Sequence, residues 1–176
     1  MILDRLFRPR QTQTAGKALY AGLVSQSRTP ALYETLGAPD TVEGRFEIYT
    51  LHLYLLMDRL KGQGTQANET SQALFETYVS ALDHALREMG VGDLSVGKKM
   101  RKLAEAFYGR VKSYEQAFAG LPDTAALEAL LGRTVYAEAD AGRAPDLAAY
   151  MLRQREALAA EPLERLLAGD VAWGQA

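Results

Sequence analysis

Almost none of the apolar residues that could build a core in this chain are β-branched. Alanine and leucine number 28 and 26, against 8 valines and 2 isoleucines. Ala and Leu lose little in a helix, whereas Val and Ile suit the pleated surface of a sheet. An all-α fold is therefore expected. A length of 176 residues suits one domain and would cramp two. The expected architecture is a single-domain helical bundle of about six to seven helices. With no cysteine in the chain, apolar burial has to stabilise it without disulfides or thiolate metal sites.

Periodicity places the helices. Residues 17–27 carry Leu19, Tyr20, Leu23 and Val24 on one face, and Pro30 marks the exit. A short turn at residues 31–36 closes at Gly37. The triplet Pro39, Asp40, Thr41 then supplies caps for a helix over residues 42–61, stopped by Gly62 and Gly64. Here Val42, Phe46, Tyr49, Leu53, Leu56 and Leu60 line one face, while Ile48, Leu51 and Leu55 cover much of the rest. Such a helix belongs in the middle of a bundle. Residues 62–68 read as a surface loop, and residues 69–89 as a helix ending at Gly90. Ser95 is expected to cap a long helix to about residue 119, with Val96, Met100, Leu103, Ala104, Phe107, Val111, Tyr114 and Phe118 as its core stripe. Helices over residues 123–138, 145–160 and 162–168 complete the chain, opened by Asp123, Pro145 and Pro162. Positive φ angles in a helix-to-helix turn account for Gly90, Gly92 and Gly97.

Several function classes are excluded or left without support. The longest apolar stretch, residues 48–57, is half the roughly 20 residues that a bilayer requires. The first ten residues, MILDRLFRPR, lack the apolar run and cleavage site of a signal peptide, so a cytoplasmic location is expected. Twenty basic against 22 acidic side chains argue against a DNA-coating protein. The two histidines, His52 and His84, have no partners at metal-site spacing. His52, inside an apolar helix, is expected to be a hydrogen-bonded core or boundary residue. The octet GDLSVGKK, residues 92–99, matches a phosphate-binding loop for seven positions. Lys99 then stands where a Mg²⁺-ligating Ser or Thr is required, and a helix rather than a strand precedes it. No catalytic residue, metal or cofactor is expected.

What remains unusual is charge. Between residues 98 and 112 stand Lys98, Lys99, Arg101, Lys102, Arg110 and Lys112 against Glu105 alone, a local +5 in a protein of net −2. Cations at a helix N-terminus oppose its macrodipole, and Lys98 with Lys102 is a like-charge i,i+4 pair. Stability does not choose this arrangement; it is either an ordinary solvated face or a docking face for acidic protein, RNA or lipid phosphate. Gly109 lies mid-helix on the same polar face, where the helix bends or something approaches its backbone. The first residues put Ile2, Leu3, Leu6 and Phe7 on one side of a possible helix and Arg5 and Arg8 on the other, a pattern for membrane or partner contact, for packing on the bundle or, in so short a segment, for disorder.

The runs DTVEGRFEIYTLHLYLLMDRLKG, residues 40–62, and LDHALREMGVGDLSVGKKMRKLAEAFYGRVKSYEQAF, residues 82–118, resemble the ubiquinol–cytochrome c chaperone family. Its mitochondrial members are assembly factors of the cytochrome bc1 complex. The specific part is REMGVGDLSVGKKM, with AFYGR and Tyr114 following, and the resemblance covers roughly residues 35–143. The short N-terminus lacks the long targeting extension of the mitochondrial members and suits a bacterial one. The resemblance implies a non-enzymatic chaperone over residues 13–176, preceded by a basic amphipathic segment at residues 1–12. Its implied partners are cytochrome b or another bc1 subunit, a small partner protein and the ribosome, with peripheral contact at the cytoplasmic face of the inner membrane. Carried onto this sequence, Gly92, Asp93, Gly97, Lys98, Lys99, Arg101, Lys102, Tyr108, Gly109 and Arg110 form the candidate partner-binding set. The alternative is a lipid- or quinone-binding helical protein at the membrane surface.

Overall fold

The computed structural model describes residues 2–137 and 141–175, with the side chains of residues 10–137 and 142–175. Among these residues every regular element is helical: α1 (Ile2–Ser27), α2 (Pro30–Glu34), α3 (Val42–Leu60), α4 (Thr65–Glu88), α5 (Asp93–Ala119), α6 (Ala125–Thr134), α7 (Ala144–Ala160) and α8 (Leu163–Leu167), with one 3₁₀ turn (Ala141–Arg143). Six of the eight α-helices are substantial, in line with the expected number. None is long and apolar enough to cross a membrane.

The centre is α3, whose residues Ile48, Leu51, Leu53, Leu55, Leu56 and Leu60 are all buried. It packs against α1, α4, α5 and α7, as a helix apolar on nearly every side must. Thr41 caps it by accepting a hydrogen bond from the Gly44 amide at 3.1 Å. Gly62, at φ +75°, turns the chain back into α4. α1 lies alongside α4 in the same direction, with Gly16 at the crossing. A Cβ there would stand 2.7 Å from the Ala73 carbonyl carbon. The chain ends as a strap, residues 168–175, along α1. Val171 fits over Gly22, Trp173 sets its ring edge-on to His52 at 5.1 Å, and Gly174 exchanges hydrogen bonds with the Gln154 amide.

Several expectations change in detail. α1 runs unbroken through residue 12, and the amphipathic pattern of Ile2, Leu3, Arg5, Leu6, Phe7 and Arg8 lies outside the described side chains. α4 starts at Thr65, inside the expected loop, because Ala67 and Thr70 are buried and extend its packed face. α5 starts at Asp93 after an extended Gly92, and Ser95 is not its cap; the Ser95 amide instead donates to the Gly92 carbonyl at 2.8 Å. Positive φ is needed only at Gly90 (+82°), since Gly92 is extended and Gly97 helical. α6 stops at Thr134, where Val135 and Tyr136 leave the helix and turn into the core.

His52 is fully buried and hydrogen-bonded, as expected. Nδ1 donates to the Ile48 carbonyl at 2.8 Å, with Ser27 Oγ at 3.1 Å, and Nε2 accepts from the Tyr150 hydroxyl at 2.7 Å. Burial lowers its pKa to about 4. A histidine kept neutral by folding but protonated near pH 6.5 when unfolded makes the unfolded state bind the extra proton. Stability is therefore predicted to fall by about 3 kcal/mol as pH drops from 6.5 to 4, with a shallower slope in His52→Gln, measured by urea denaturation across that range. Gly16→Ala is predicted to cost about 2 kcal/mol in the same assay, because backbone rather than a movable side chain meets the added methyl.

Candidate functional site

α4 and α5 form an antiparallel hairpin that outruns the main core. On α4 the apolar cluster around α3 ends at Leu82, and on α5 it begins at Phe107. Beyond those levels only Leu86 and Val96 are buried, outside the cluster. From Leu94 to Phe107 is about 20 Å of helix at 1.5 Å per residue. Along that length Asp93, Leu94, Ser95, Gly97, Lys98, Lys99, Arg101, Lys102 and Glu105 are all exposed.

Along the hairpin the sequence has left large apolar residues in water. Leu94 is 102% exposed, Tyr108 60% and Met89 54%. Leu94, Lys98, Arg101, Glu105, Tyr108 and Lys112 follow the i, i+4, i+7 spacing of one helix face, so both ends of the basic stretch carry an exposed apolar group. Asp93, at the first turn, is held by Arg87, which also bonds Asp83 at 2.6 Å. Among the described residues Lys98, Lys99, Arg101, Lys102 and Lys112 have no ion-pair partner. Gly92, Gly97 and Gly109 face open space, and α5 continues through Gly109, so none of the described residues approaches there.

Arg110 departs from the expectation of a docking cation. Its Nε and one terminal nitrogen both donate to the Glu47 carboxylate at 2.8 Å. The pair joins α5 to α3, and its short bonds raise the Arg110 pKa. Arg110 therefore holds the helix that displays the others. Glu47 was the missed signal: of the three carboxylates on α3 it alone is buried, and a buried carboxylate needs a cation from a neighbour.

Tyr108 stands on the rim of a groove of about 450 Å³ between α3, α4 and α5, with Tyr54, Met57, Phe75, Phe107 and Val111 as its apolar lining. Phe75 and Phe107 meet at 5.1 Å between ring centres on its floor. Lys61 and Glu115, paired at 2.6 Å, close one end. Sequence periodicity assigned Phe107 and Val111 to the core stripe of α5; the groove exists because α5 leans on α4 and α3 without closing over them. The phosphate-loop match dissolves, since residues 93–98 are helical and the Ser95 and Val96 amides both donate to the Gly92 carbonyl rather than to a cradle.

Comparisons with known proteins bear on this arrangement. Residues 34–173 match a family model described as Ubiquinol-cytochrome C chaperone. Similar curated proteins are the "Ubiquinol-cytochrome-c reductase complex assembly factor 1" of Xenopus laevis, 23% identical over 90% of this chain and 80% of that protein, and its counterpart in Mus musculus, 24% identical over 90% and 54%. The crystal structure of the Cbp3 homolog from Brucella abortus is similar at 35% identity with a TM-score of 0.87, covering 99% of this chain and 97% of that one.

The two kinds of cation on α5 predict opposite responses. Lys98→Glu with Lys102→Glu should leave thermal stability equal or higher, because like-charge and dipole strain are relieved. Arg110→Ala should cost about 3 kcal/mol by leaving the Glu47 carboxylate buried and unpaired. Thermal and urea unfolding of the purified variants check both.

Proposed function

We propose that this chain, which belongs to the ubiquinol-cytochrome C chaperone family, is a non-enzymatic assembly factor of the cytochrome bc1 complex that holds newly made cytochrome b. The single observation that carries the reading, beyond family membership, is the aromatic- and Met-lined groove between α3, α4 and α5 with Tyr108 exposed at its rim. An incompletely assembled membrane subunit presents apolar helical segments to its surroundings. A groove between helices takes one apolar face of such a segment, as amphipathic helices are taken elsewhere, and Met57 with the surrounding rings adapts to side chains of different shape.

The residues around the groove suit binding rather than chemistry. The polar groups that line it are an ion pair, Lys61 with Glu115, the Asp58 carboxylate, which Arg155 approaches at 3.4 Å, and Asn68, Ser71 and Gln72 of α4, with the unpaired cations farther along α5. Gly92, Asp93, Gly97, Lys98, Lys99, Arg101 and Lys102 form the outer part of the interaction element, Tyr108 and Gly109 its junction with the groove, and Arg110 its anchor.

Deleting the gene should lower assembled bc1 complex and spectroscopically measured cytochrome b severalfold. Wild-type protein should restore both, and Tyr108→Asp, changed at an exposed position that spares the core, should restore little. Unchanged bc1 levels in the deletion strain would sink the proposal.

A further inference from the structure

We propose that the apex of the α4–α5 hairpin docks onto the surface of an anionic phospholipid bilayer. The order of chemistry along the hairpin supports this. Outermost stand Met89 and Leu94, 54% and 102% exposed, on a turn whose Gly90 and Gly92 face open space. Four residues later, about 6 Å along α5, come Lys98 and Lys99, and then Arg101 and Lys102 within the next turn. Residues 87–102 hold five cations against two carboxylates; Arg87 is taken up by Asp93 and Asp83, which leaves Lys98, Lys99, Arg101 and Lys102 against Glu88.

An apolar tip followed by a collar of cations matches the profile of a bilayer surface. Interfacial elements sink their apolar side roughly 5 to 10 Å to the acyl boundary, while lysine and arginine stems reach back to the phosphates. A nucleic acid would use the cations but would give the protruding Leu94 no apolar partner, and a protein would need an apolar pocket set in an acidic face at matching spacing, whereas the acyl boundary beneath anionic headgroups takes Met89 and Leu94 without any such match. Glu105 sets the limit of the contact: it lies on the Leu94, Lys98, Arg101 face one turn farther in, where an anionic surface would repel it. Docking by the apex leaves Tyr108, about 21 Å behind Leu94 at 1.5 Å per residue, clear of the lipid with its groove open. This inference does not depend on which client the groove holds.

Flotation of the purified full-length protein with vesicles tests it. Wild type should float with phosphatidylglycerol–phosphatidylcholine vesicles and not with phosphatidylcholine alone, and added salt should weaken the binding. Each basic residue near an anionic leaflet changes binding roughly fivefold, so Lys98→Glu with Lys102→Glu should lower it at least tenfold. Leu94→Ser, at a fully exposed position, should keep the helicity of the wild type and still lower binding severalfold. Absence of wild-type flotation overturns the proposal. So does binding that survives either variant: survival in Leu94→Ser means a purely electrostatic contact, and survival in the lysine double variant means binding elsewhere on the chain.

Discussion

The fold depends on the few polar groups of one buried helix. α3 is surrounded, and a polar atom on a surrounded helix must find its partner on a neighbour or lose its hydration uncompensated. Each of its buried polar side chains reaches a different helix. Glu47 binds Arg110 of α5, and the Thr50 and Tyr78 hydroxyls, from α3 and α4, lie 3.3 Å apart. His52 meets Ser27 of α1 and Tyr150 of α7. Near the end of α3, Arg59 donates to the Leu158 carbonyl of α7 at 2.8 Å and to that of Glu161 at 3.0 Å. Apolar packing holds α3 in place while tolerating small slides; these directed bonds set rotation and register.

Where that network stops, a different regime begins. α4 and α5 are anchored beside α3 by Tyr78, Phe107 and Arg110, then continue outward with little beyond Leu86 and Val96 between them. Segments with few buried apolar contacts occupy the low-stability end of a protein and are suited to interaction. The unpaired lysines and exposed Leu94 sit there, where a small loss of local stability does not propagate into the core. Their like-charge strain is confined to the part of the molecule that can bear it.

The strap formed by residues 168–175 serves the opposite end of this division. It covers the His52–Tyr150 pair, whose hydrogen bonds Gln26 extends by donating to the Tyr150 hydroxyl at 2.9 Å. Burial under Trp173 makes His52 a core histidine despite its ordinary potential as a pH switch. The chemistry of the buried end is thus spent on holding helices together, whereas the hairpin leaves its lysines and Leu94 facing solvent.

The helical class, the central place of α3, the capping role of Thr41, the stop at Gly62 and the basic character of α5 were all legible in the sequence. Each rests on local chemistry: rotamer freedom, 3.6-residue periodicity, side-chain oxygens at a helix start and φ preferences of glycine. Even the singling out of Lys98 and Lys102 needed only the helix dipole and an i,i+4 spacing. Tertiary structure alone decided that Arg110 belongs to Glu47, 63 positions away. It also decided that Phe75 and Val111 line a groove instead of a sealed core, and that α4 begins inside the expected loop. Sequence periodicity tells which face of a helix is apolar, but not how far a neighbouring helix extends along it; packing distances between remote segments determine where a core ends and a binding surface starts.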